Sequence, residues 1–124
     1  MTEPRIVVEV AGLTASLPVR DVREIVPVRE LTRVPGASLP ILGLFSHRGS
    51  VVPLVDAGHR LGVCGVGSKA GTAVLVNSSV GVLGLVVERI VEFAFTTPPD
   101  LPPLDIETLV RDCRAATSEL RGTP

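Results

Sequence analysis

A chain of 124 residues suffices for one ordinary domain, and 45% hydrophobic with 20% charged residues gives it material for a core rather than for disorder. A net charge of −1 offers no basic surface to nucleic acid, and no apolar run approaches the roughly 18 residues of a membrane span. Aromatic residues make up 2% of the chain, so the core has to be built from Val, Leu and Ile, and 12 Gly with 11 Pro punctuate it into short strands.

In chain order, RIVVEV (5–10) predicts a strand closed by a turn at Ala11-Gly12. ASLPV (15–19) predicts a second, with Pro18 marking an edge or a strand end. In VRDVREIVPV (19–28), Val19, Val22, Ile25 and Val26 fall at helical spacing, but Pro27 stops so short a run. A turn followed by a strand around 24–29 is expected there. RVPGASLP (33–40) reads as a loop. ILGLF (41–45) and SVVPLV (50–55) flank Ser46-His47-Arg48-Gly49 and predict a hairpin, with Gly49 supplying a positive φ. Pro53 cannot donate a ladder hydrogen bond, which places its strand at an edge or a bulge.

GVCGVGSKAG (62–71) is a glycine-rich loop. TAVLV (72–76) and VGVLGLVVERIVEFAF (80–95) are strand material, and the longer run is expected to bend near Glu88-Arg89 because strands seldom exceed about ten residues. TTPPDLPP (96–103) is an extended connector. DIETLVRDCRAA predicts a helix over about 105–116, with Asp105 as N-cap and Ile106, Leu109, Val110 and Cys113 on one apolar face.

Motifs for chemistry are sparse. Gly65-Val66-Gly67-Ser68-Lys69-Ala70 matches a loose G-x-G-x-x-A, but a dinucleotide site needs a helix next and TAVLV is strand-like. His47, His59, Cys64 and Cys113 show no zinc-ligand spacing. A thiol enzyme pairing Cys64 or Cys113 with a histidine competes with the reading of both as small core or loop thiols. Asp56, Glu88 and Glu92 are carboxylates able to pair, although charges at strand ends are usually solvated. No catalytic, cofactor or metal site is expected. For Arg48-Gly49 the spacing leaves two readings, a solvated hairpin tip and a binding surface.

The stretch Ile41-Leu42-Gly43-Leu44-Phe45-Ser46-His47-Arg48-Gly49-Ser50-Val51-Val52-Pro53-Leu54-Val55-Asp56, running on to Arg60-Leu61-Gly62, resembles the signature of the CheW-like domain of bacterial chemotaxis coupling proteins. Val22-Arg23-Glu24-Ile25-Val26 is similar to the family's "V-x-E-I" strand, Arg33-Val34-Pro35-Gly36-Ala37 to its proline-bounded approach, and Gly84-Leu85-Val86-Val87-Glu88-Arg89-Ile90-Val91 to its "G-l-l-V-D-x-V" strand. The resemblance covers about residues 5–95. It implies a mostly β fold of two packed SH3-like small barrels in one domain over 1–124, ending in the helix. The family's last strand pair has no counterpart between Phe95 and Leu104, so the second barrel is expected to be incomplete.

The resemblance also implies a cytoplasmic, non-catalytic adaptor without cofactors. Such an adaptor binds the signalling tip of a chemoreceptor (a methyl-accepting chemotaxis protein), and a CheA-type histidine kinase or another CheW-like protein. Carried over, Glu24 and Arg48 form an ion pair at a partly buried edge, and Val22, Leu44 and Ile90 line the protein-binding groove beside it. Loss of either charged partner would then strand the other, and more than tenfold weaker receptor binding is expected. An accessory form with weakened kinase coupling is the favoured reading, and an ordinary coupler bridging receptor and kinase is the alternative.

Overall fold

Among the described residues, short runs of Val, Ile and Leu form eight strands: β1 (Arg5–Val10), β2 (Leu13–Pro18), β3 (Val22–Pro27), β4 (Ile41–His47), β5 (Ser50–Asp56), β6 (Thr72–Ser78), β7 (Gly81–Val87) and β8 (Arg89–Ala94). A 3-10 turn, Val19–Asp21, leads from β2 to β3. The computed structural model describes residues 4–10, 12–28, 41–58, 71–95 and 103–112. The loop at 33–40, Cys64 with the rest of the glycine-rich segment up to Ala70, the connector over 96–102 and Cys113 lie outside the described residues.

The strands divide between two sheets, a three-stranded one ordered β2-β1-β8 and a five-stranded one ordered β3-β6-β7-β5-β4. All pairings are antiparallel except β5 with β7, which run parallel. The expected bend at Glu88 therefore does more than shorten a strand, because the chain leaves one sheet there and enters the other. β1 pins this crossing: Glu88 N–H donates to the Glu9 carbonyl at 2.9 Å, and Arg89 Nη2 donates to the Glu9 carboxylate at 3.2 Å.

β6 and β7 are buried on both faces, which explains why TAVLV and VLGLVV read as unbroken apolar runs. On one face Val74, Val76, Leu83, Leu85 and Val87 meet Ile6, Val8, Val10, Ala15 and Leu17 of the three-stranded sheet. On the other, Ala73, Leu75 and Val86 meet Val26, Val52 and Leu54 in a smaller core. Gly84 faces this smaller core, where a Cβ would lie 2.6 Å from Leu54 Cδ2 and 3.2 Å from Leu75 Cδ2.

The helix α1, described over 106–112, closes the larger core with Ile106, Leu109 and Val110. Asp105 caps it as its residue type predicts, Oδ1 accepting the Thr108 N–H at 3.1 Å. Just before it, Pro103 forms a parallel bridge to Ser16, and Leu104 N–H donates to the Ser16 carbonyl at 2.9 Å. This contact partly covers the outer edge of β2.

Pro53 calls for a correction. β5 is an interior strand, between β7 and β4. Its ladder with β4 runs from Ser50, whereas its ladder with β7 begins only at Leu54. A residue without an amide hydrogen is tolerated because the second neighbour joins just after it. A register shift on β4 between Ile41 and Gly43 lies opposite this point.

Candidate functional site

β4 and β5 are joined by a two-residue turn in which both residues have positive φ, Arg48 at 51° and Gly49 at 82°. That is the requirement of a type I′ hairpin, whose twist matches its strands. Glycine meets it without strain, but an arginine in the left-handed region costs roughly 1–2 kcal/mol. The predicted hairpin is thus present, with Arg48 sharing the unusual backbone expected of Gly49 alone.

Arg48 Nη2 donates to Glu24 Oε1 at 2.9 Å, and His47 Nε2 lies 2.9 Å from Glu24 Oε2. An ionised carboxylate only accepts, so His47 presents a protonated Nε2 to it. The Phe45 ring lies 5.9 Å from that of His47, tilted by 33°. Glu24 belongs to β3 and His47 to β4, which are the two outer strands of the five-stranded sheet. In a flat sheet, four interstrand steps of ~4.8 Å would hold those strands roughly 19 Å apart. Contact between their side chains means that the sheet curls until its edges approach, and Glu24 clasps them together.

The His47 hydrogen bond, followed by the charges of Arg48, His47 and Arg23, holds the Glu24 carboxyl below its ordinary value of 4.5, while partial burial pulls it upward. Side-chain exposure is 75% for Arg48 and 29% for Glu24. The cost expected from stranding a buried partner therefore does not carry over. Arg48 without Glu24 is solvated, and Glu24 without Arg48 keeps His47.

Beside the clasp lies a concavity of about 620 Å³, charged at Arg23, Glu24 and Arg48, polar at His47 and apolar at Val51, Pro53, Val80 and Val82. Two hairpin ends flank it. One carries Arg48 and exposed Val51, and the other is the Ser79-Val80 turn, with Val80 exposed. Glu107 of α1 anchors the second end by accepting from Ser79 N–H at 3.1 Å and from the Ser79 hydroxyl.

Of the residues carried over from the resemblance, Glu24 and Arg48 meet here, and Val22, Leu44 and Ile90 do not line this concavity. Val22 and Ile90 pack against the larger core, with Ile90 in the three-stranded sheet, while Leu44 is half-buried opposite Pro53. The apolar lining of this concavity comes instead from Val51, Val80 and Val82 with Pro53. His47 was readable only as a neighbour of Arg48. Its role follows from the strand alternation that aligns it with Phe45 and from the curl that delivers Glu24. Among the described residues no group of three or more His, Cys, Asp or Glu is placed to hold a metal ion.

The model of the CheW-like domain matches residues 5–121. Among solved structures, the scaffolding protein TtCheW from Thermoanaerobacter tengcongensis is similar in fold, with a TM-score of 0.68 at 22% identity over 86% of this chain and 77% of that one. No curated protein matches the chain.

Proposed function

Because the chain belongs to the CheW-like domain family, we propose that it is a non-catalytic adaptor of a bacterial chemosensory array that receives the helical signalling tip of a chemoreceptor in the concavity beside Glu24. The observation that carries this reading is Arg48 itself. Asn or Gly would form the same turn with less backbone strain, yet a long cation stands there at φ 51°, aimed at Glu24 on the rim of an apolar hollow. The guanidinium orients the rim, and Val51, Val80 and Val82 offer apolar contact to one face of a partner helix.

Function and stability should therefore part company at this position. With Arg48→Asn, the chemical denaturation midpoint is expected to hold or rise, while calorimetric titration with a receptor signalling tip gives about tenfold weaker binding, or 1.4 kcal/mol. Glu24→Ala, which frees both His47 and Arg48, is expected to weaken binding at least as much. Wild-type affinity in both variants would remove the groove assignment.

The accessory form remains the favoured version, supported by the three strands, β2, β1 and β8, that make up the smaller sheet among the described residues. Kinase regulatory domain is expected to bind at least tenfold more weakly than it binds a full-length coupler. Equal binding would favour the ordinary coupler.

A further inference from the structure

β3 holds one residue more than its ladder with β6 uses. Val22 is paired with Val76, and Glu24 with the adjacent Leu75, so Arg23 is an extra residue without a partner across the ladder. In a regular strand Arg23 and Glu24 would stand on opposite faces. Here both line the concavity beside the clasp, which is how a bulge re-aims a side chain. The two neighbours differ in what engages them. Glu24 is held by His47 and Arg48. Arg23 is exposed, and its guanidinium makes no hydrogen bond or ion pair among the described residues.

Charge in the hollow is therefore uneven. Among its described lining residues two guanidiniums, those of Arg23 and Arg48, stand against one carboxylate, Glu24, and Arg48 already engages it. The whole chain carries a net charge of −1, so the surplus of positive charge belongs to this rim and not to the protein at large. Beside it Val51 and Val80 are 66% and 49% exposed. A spare cation thus borders an uncovered apolar floor.

We propose that the partner helix carries an Asp or Glu at the border of its apolar stripe, and that Arg23 receives this carboxylate while Val51, Val80 and Val82 receive the stripe. The inference rests on the adaptor reading above and adds the chemistry of the partner to it. A guanidinium offers parallel N–H donors that match a carboxylate. Docking of the helix excludes water from the hollow, which strengthens the contact relative to an open surface. A helix with Lys or Arg at that border meets like charge and is rejected. Arg23 in this way selects among apolar helices that the three valines alone would not tell apart.

Calorimetric titration of the whole chain with a soluble receptor signalling tip tests it. Arg23→Gln should weaken binding about threefold and Arg23→Glu about tenfold or more, both with an unchanged circular dichroism spectrum because the side chain is exposed. Arg20→Glu makes the same change of net charge outside the concavity, where Arg20 lies 3.9 Å from Asp21, and should stay within about twofold of wild type. Each Asp and Glu of the tip is then replaced by Lys in turn. One replacement should weaken binding to wild type and bring Arg23→Glu back to within about threefold of the original pair. Wild-type affinity in Arg23→Glu, equal losses from Arg23→Glu and Arg20→Glu, or a Lys series in which no replacement restores binding would overturn the inference. If Arg48→Asn and Glu24→Ala still weaken binding in that case, the groove stands without its acidic contact. A tip that does not bind the wild-type chain removes the adaptor reading, and this inference with it.

Discussion

The two faces of the five-stranded sheet are finished in different ways. On one, a second sheet and a helix press down, and the core is sealed by apolar side chains from all three. On the other, the sheet covers itself by curling, and its two edges are held by Glu24, His47 and Arg48. The first solution takes many residues and leaves little to the solvent. The second is economical, keeps the interior small enough that Gly84 faces it without a side chain, and leaves a charged mouth open beside an apolar hollow. The concavity beside Glu24 lies where burial is least complete.

Mutations should separate the two faces. The largest effect is expected in the sealed core, where Leu109→Ala removes a fully buried side chain that pins α1. A loss of about 2–5 kcal/mol in urea denaturation is expected. A loss under 1 kcal/mol would mean that the helix is dispensable to that core. Next comes Gly84→Val on the curled side. Its Cβ alone would meet Leu54 and Leu75, both buried, and overpacking is expected to cost about 1–3 kcal/mol. Stabilisation would show that the curl has room to widen. Asp105→Ala removes the α1 cap and should cost about 1 kcal/mol by the same measurement, and no change would mean that packing alone fixes the helix start.

The smallest effect concerns acid. A carboxyl held below its ordinary value in the folded protein contributes stability above the unfolded value, near 4.5, and loses it as pH falls through the lower folded value. The contribution of Glu24 should therefore be complete at neutral pH and fade below about pH 4.5. Glu24→Gln should flatten that part of the stability curve. Parallel curves for the two proteins would remove the clasp's claim to hold the edges.

How much of this was legible in the sequence depends on how far apart the interacting residues are. The hairpin from Ile41 to Asp56, the break at Glu88 and the cap at Asp105 were readable, since each is written in neighbours: a turn glycine, a run too long for one strand, an acid before an apolar stripe. The interior placement of β5 was not, because its parallel partner β7 lies beyond an intervening strand and nothing local to Pro53 announces it. Glu24 and Arg48 were found through a family resemblance, whereas His47 was missed because its partner is 23 positions away. The grouping of Val51, Val80 and Val82 was not legible either. They share a hollow only because two hairpin ends come side by side, and as single valines they look like any other strand residue.

The pairing of β1 with β8 sets an order on events during synthesis. β1 and β2 leave the ribosome before the other strands and form a local hairpin, but β1's second neighbour is encoded more than 70 positions later. Until Arg89–Ala94 emerges, the sheet of β1 and β2 lacks its third strand, although β6 and β7, which cover the face of Ile6, Val8 and Leu17, are made before it, and contacts across so long a loop form slowly. The hairpin made before the other strands is therefore among the last to have its sheet completed.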